Sequence, residues 1–192
     1  GETPFADRPL STLAFGGVEG LSTTGLALTA LLPTPFYWDV TANVGTAPDP
    51  GDNAVWGADN GDDLLYLGRT SAFVDLSEAT NVNLGASYAS ARADSALRAE
   101  GDHASLAGAD LTLRWKNPRR SIYRSLTAQA EYTREQGTAD GAPSRDGWFG
   151  YAIYQFARRW KLGARYDSTE RTTAPGREQG VLGLIQFQPS EF

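Results

Sequence analysis

Nine short stretches of this chain alternate apolar and polar residues with a period of two. The clearest lies within Phe36 to Thr46, where Phe36, Trp38, Val40, Ala42 and Val44 fall on one side of an extended chain and Tyr37, Asp39, Thr41 and Asn43 on the other. Successive side chains of a strand point to opposite faces, so the pattern builds a sheet with one greasy face and one wet face. The other stretches are Gly25 to Leu32, Leu64 to Leu76, Asn81 to Ala91, Ser105 to Lys116, Ser125 to Glu135, Trp148 to Ala157, Trp160 to Ser168 and Gly180 to Gln188. The third, seventh and ninth are less regular, with Leu65, Leu67, Phe149 and Tyr151 on the wet side. No helix is predicted.

The connections alternate in length. Pro33-Thr34-Pro35, Ser77 to Thr80, Asn117 to Arg124 and Arg158-Arg159 are short, whereas Ala47 to Asp63, Arg92 to Ala104, Gln136 to Gly147 and Thr169 to Gln179 are long and rich in Gly, Asp, Pro and Ser. Outer-membrane barrels have short periplasmic turns and longer extracellular loops. Aromatics mark the segment ends on the greasy side: Phe36, Trp38, Trp115, Tyr123, Phe156 and Trp160 near the short turns, and Tyr66, Tyr88, Tyr132, Trp148 and Tyr166 near the long loops. Interfacial girdles have this placement, and Trp38, Trp115, Trp148, Trp160 and Tyr166 are the expected lipid-interface residues. The expected fold is therefore an all-β, antiparallel up-and-down transmembrane β-barrel. Gly1 to Thr24 reads as an outer loop or leading segment, 25–188 as strands, and 189–192 as the start of a periplasmic turn, all within a single barrel segment. The odd strand count points to part of a larger barrel, since single-chain bacterial barrels carry even numbers.

Composition narrows the function. No window approaches the run of about 18 apolar residues that a membrane-spanning helix needs, and the mean hydropathy of -0.38 fits a barrel whose strands are half polar. Cysteine is absent, excluding disulfides and thiolate metal sites. A net charge of -6 leaves no basic surface for phosphate backbones, so nucleic acid is not expected as a partner.

Particular words of the sequence carry a resemblance. Asp7-Arg8-Pro9-Leu10, Leu31-Leu32-Pro33-Thr34-Pro35-Phe36-Tyr37, Leu84-Gly85-Ala86-Ser87-Tyr88-Ala89, Gln129-Ala130-Glu131-Tyr132, Tyr154-Gln155-Phe156-Ala157-Arg158-Arg159-Trp160 and Pro189-Ser190-Glu191-Phe192 resemble the C-terminal half of a Gram-negative outer-membrane porin-like family. Its members are often labelled zinc-regulated TonB-dependent outer membrane receptors or likened to phosphate-selective porins. The resemblance spans nearly the whole chain and implies barrel scaffolding. Family members carry strands before and after this region, so the chain is expected to be a portion of such a barrel. It brings no catalytic or binding residues with it.

The wet face supplies the candidate lumen-lining residues Asp39, Arg69, Asp110, Arg114, Glu131, Arg165 and Asp167. In a wide barrel their field would set ion preference; in a narrow one they would pair with each other. Asp59, Asp62 and Asp63, with Asp49 and Asp52 upstream, offer oxygen ligands for calcium. An EF-hand would place Glu where Thr70 stands, so a solvated acidic loop is the better reading. His103, the only histidine, stands in an expected long loop beside Asp102 and near Ser105. Adjacent residues of an extended chain diverge, so Asp102 would not orient that imidazole, and no enzymatic activity or cofactor is expected. The sequence leads to an outer-membrane channel for passive or gated passage of small solutes or ions. Its surroundings would be lipid and lipopolysaccharide, and self-association stays open. The alternatives are a soluble or surface barrel binding a hydrophobic ligand, with the faces inverted, and the barrel part of a TonB-dependent receptor.

Overall fold

The computed structural model describes residues 4, 5, 7–16, 24–46, 56, 64–92, 103–119, 123–137, 144–171 and 175–189. Its strands are β1 (Gly25–Leu31), β2 (Tyr37–Thr46), β3 (Leu64–Ser77), β4 (Thr80–Arg92), β5 (His103–Lys116), β6 (Ser125–Gly137), β7 (Ser144–Ala157), β8 (Trp160–Glu170) and β9 (Arg177–Phe187). All nine stretches of alternation are strands. Each pairs antiparallel with the next, giving one up-and-down sheet in the order β1 to β9. The sheet is not closed: β1 and β9 are edges among the described residues.

Short connections explain the pairs β1–β2, β3–β4, β5–β6 and β7–β8, because a tight turn returns the chain alongside the strand it has just left. The β3–β4 turn is tied by Ala79 N–H donating to Ser77 Oγ (3.2 Å), and the turn after β5 by Arg119 N–H donating to Asn117 Oδ1 (3.0 Å). Register shifts between Asp75 and Ser77 and between Gln155 and Ala157 mark irregularities beside the β3–β4 and β7–β8 turns. Leu76 and Phe156 lie at these shifts, and both are exposed. The β8–β9 turn bends through Gly176 at φ 120°, a left-handed conformation that glycine adopts without Cβ strain.

Several strands run further toward the long connections than hydropathy indicates. β7 begins at Ser144 rather than Trp148, β9 at Arg177 rather than Gly180, and β6 ends at Gly137 rather than Glu135. Both faces of these ends are polar, so alternation fades while the backbone ladder continues. Charge pairs lie along it: Arg145 with Glu135, and Arg177 with Asp146. His103 corrects the loop expectation for the same reason: it opens β5, opposite Arg92 of β4.

The two faces differ in what they bury. Register places Leu28 beside Ala42, Leu84 beside Leu111, and Leu162 beside Ile185 on one face. That apolar face is open: Leu28 is 75% exposed, Leu162 52% and Ile185 72%. The buried residues gather on the opposite, polar face.

One element there was not foreseen. α1 (Leu10–Gly16) is a short helix packed chiefly against β7 and β8. Less than two full turns long, it leaves almost no periodic trace, and such a helix depends on tertiary contacts for its stability. Pro9 stands just before it, and Leu13 N–H donates to the Pro9 carbonyl (3.1 Å). Ser11 and Phe15, one turn apart, are the buried side of the helix. Phe15 joins Trp56, Leu65, Ala89, Ala91 and Ala104 in one apolar cluster, while Phe5 joins Phe149 and Tyr151 in another. These clusters explain the irregular alternation: Phe149 and Tyr151 are apolar on the polar face where Phe5 packs on them, and Leu65 where Phe15 and Trp56 gather. Among the described residues no helix is long and apolar enough to cross a membrane.

Candidate functional site

The polar face divides into an open charge cluster and a covered one. In the open cluster, Arg69 on β3 donates through Nη2 to Asp110 Oδ1 on β5 (2.8 Å), reaching across the intervening β4. Gly85 makes that reach feasible, since a Cβ there would run into the Asp110 carboxylate and Arg69 Nη2. Asp110 stands directly opposite Glu131 of β6. Like charges in this cross-strand position repel, and Arg69 offsets them.

Gly85→Ala is expected to push the Arg69–Asp110 pair apart at little cost, about 1 kcal/mol or less, because the atoms displaced are the ends of flexible side chains in a partly exposed pair. A double-mutant cycle of Arg69→Ala with Asp110→Ala checks this. Its coupling should vanish in the Gly85→Ala background.

The covered cluster centres on Arg165 of β8, which is only 2% exposed. Its Nε donates to Asp167 Oδ2 (3.0 Å), two residues along the same face. Its Nη1 donates to the Asp7 carbonyl (2.8 Å), and Nη2 to Asp7 Oδ2 (3.2 Å) and the Arg8 carbonyl (3.3 Å). The guanidinium also lies over the Phe5 ring, 5.2 Å from its centroid, and Phe5 meets Tyr151 edge-on at 5.7 Å. Arg165 and Asp167 therefore share the polar face with Arg69, Asp110 and Glu131 but lie beneath Phe5, Asp7 and Arg8, which together with α1 make up the α1 segment.

Arg114 stands exposed toward the short-turn end of β5, and Asp39 is half-buried on β2 opposite Ser71. Neither belongs to the charge clusters above. A pocket of about 230 Å³ remains on this side, lined in part by Pro4, Thr127, Tyr151, Gln155 and Lys161. The Tyr151 hydroxyl donates to Gln129 Oε1 (2.9 Å).

On the apolar face Trp38, Trp115 and Trp160 sit at strand ends, and Trp148 and Tyr166 lie four residues in from the ends of β7 and β8. Trp38 Nε1 donates to Thr70 Oγ1 (2.7 Å), and its ring stacks on Phe36 at 5.9 Å. Trp148 packs on Tyr166 at 5.1 Å, Trp160 on Phe187 at 4.7 Å, and Trp115 is half-exposed at the end of β5. The indole and phenol groups thus join strands side by side along the exposed face.

The carboxylates Asp49, Asp52, Asp59, Asp62 and Asp63 lie outside the described residues, as does Asp102. No group of acidic or imidazole side chains fit to hold a metal occurs among the described residues. Ser105 donates its hydroxyl to the Gln136 carbonyl (3.1 Å) within the ladder.

Sequence reading missed Phe5, Asp7, Ser11 and Phe15 as partners of this face. Their trace was indirect: apolar residues on an otherwise polar face mark where something apolar docks. Compared with protein-family models, curated proteins and solved structures, the chain shows no match.

Proposed function

We propose that the chain forms wall of a bacterial outer-membrane β-barrel that passes small polar solutes or ions. One observation carries this reading: the apolar face of the sheet is its open face, and the charged face is the one that is partly covered. A water-soluble sheet buries its apolar face, so hydrocarbon is the matching solvent here. Strands of ten to fourteen residues, as in β2 to β9, reach the length of about 9 to 11 residues that a tilted spanning strand needs. The aromatic pairs near the strand ends suit the two membrane interfaces, with lipid and lipopolysaccharide as neighbours.

In hydrocarbon the free edges of β1 and β9 would leave backbone groups without partners, so the functional wall is closed by further strands. β1 and β9 run in the same direction. An odd number of additional strands therefore closes the barrel with antiparallel pairs throughout.

The test is reconstitution in planar lipid bilayers of the chain together with the strands that close its wall, where discrete conductance steps are expected. Arg114→Glu should shift the reversal potential toward cation preference, because it exchanges an exposed positive charge for a negative one on the lumenal side. Absence of conductance, together with a protein that stays monomeric in buffer without detergent, would remove this reading.

A further inference from the structure

The α1 segment lies over part of the polar face, on β7 and β8 above all. α1 has only seven residues and no acidic residue in its first turn, so it brings little stability of its own. Phe15 packs α1 onto the sheet, and the residues just ahead of it are held by the Arg165 contacts and the Phe5 cluster.

That contact is incompletely satisfied. Ser11 Oγ, Thr169 Oγ1 and Asp167 Oδ1 are buried and make no hydrogen bond among the described residues. The hydroxyls of Ser11 and Thr169 belong to the same spot, because a Cβ at Gly147 would meet both side chains. Burying polar atoms without partners opposes docking, and water would reclaim them on release.

The charges are arranged so that undocking strands none of them. Arg165 keeps Asp167 on its own strand, and Asp7 has a side chain already 55% exposed. Breaking a buried ion pair is costly chiefly when one charge is left alone, and here neither is.

We propose that the α1 segment is a displaceable strap across the polar face, latched by Arg165 to the Asp7 and Arg8 carbonyls and the Asp7 carboxylate. Its release uncovers the β7–β9 part of that face. The consequence for passage rests on the channel reading above; the latch itself does not.

Ser11→Cys tests the latch in the full chain refolded into phosphatidylcholine vesicles, probed with a water-soluble maleimide. The chain has no cysteine of its own, so only this position reports. The substitution also replaces a buried, unbonded hydroxyl with a more apolar group. Labelling should be slow with the latch intact. It should be at least about tenfold faster when Arg165→Gln is combined with Asp167→Asn, since a buried thiol reacts in proportion to the open population. That pair removes the latch without leaving a lone charge.

Asp7→Ala weakens the latch from the strap side and leaves the sheet untouched, so it decides the matter if the double variant does not refold. It should also speed labelling. Unchanged labelling with Asp7→Ala and, where it refolds, with the double variant would overturn the strap. So would a Ser11→Cys thiol that reacts as fast in the latched protein as in denatured chain. In planar bilayers, conductance should rise with labelling. Conductance in every variant with constant labelling overturns the strap alone, whereas faster labelling with no conductance in any variant supports the strap and removes the channel reading.

Discussion

Leu111→Arg is expected to cost about 2 to 4 kcal/mol of stability in a bilayer, the penalty for a cation on the lipid side of a barrel near mid-membrane. Leu111 lies near the middle of β5 on the apolar face, between Leu84 of β4 and Ala130 of β6. Neither neighbour offers the guanidinium a hydrogen-bond acceptor, and snorkelling to either interface means crossing several residues of strand. Asn43→Arg, on the polar face of β2, places the same charge where water or carboxylates can meet it and should change stability little. Urea unfolding of both variants refolded in vesicles provides the comparison. Equal penalties would show that the two faces meet the same surroundings. In water, the Leu111 substitution would instead be nearly neutral, so the size of the difference reports the solvent of that face.

Phe149→Ala is expected to cost about 3 to 5 kcal/mol, in the range for emptying a large aromatic from a packed site. Phe149 is buried on the polar face of β7, with Glu131 of β6 and Asp167 of β8 as its direct cross-strand neighbours. An apolar ring between carboxylates is stable there because Phe5 and Tyr151 enclose it, with Ile153, Leu182 and Leu184 around them. Alanine would leave a cavity bordered by charge and deprive Phe5 of its seat. The damage should therefore reach the Arg165 contact as well. Tyr151→Phe keeps the packing and loses only the hydrogen bond to Gln129, so about 1 kcal/mol is expected. Denaturant midpoints in vesicles separate the two. A Phe149→Ala loss no larger than that of Tyr151→Phe would mean that the cluster is not packed as described.

Much of the sheet was legible in the chain itself. All nine strands follow from alternation, and the pairs β1–β2, β3–β4, β5–β6 and β7–β8 follow from the short connections, since Ser77 to Thr80 or Arg158-Arg159 can only turn the chain back beside itself. The strand ends were less legible. At Ser144, Arg177 and Gly137 the ladder continues through residues that are polar on both faces, and hydropathy carries no signal where both sides are wet. That Arg69, Asp110 and Glu131 share one face is readable from alternation, but the long reach of Arg69 over Gly85 was not readable from spacing.

The covered cluster shows the limit most clearly. Arg165 and Asp167 are spaced to share a face, yet the partner that decides their environment, Asp7, is 158 residues away in the chain. Strand identity, face and the pairing across each short turn depend on local period and connection length, and the amino-acid sequence alone determined them. Which charges pair, why Leu65, Phe149 and Tyr151 interrupt the polar face, and what lies over Arg165 were decided only in the folded chain. Contacts between residues so far apart leave no repeating pattern to read.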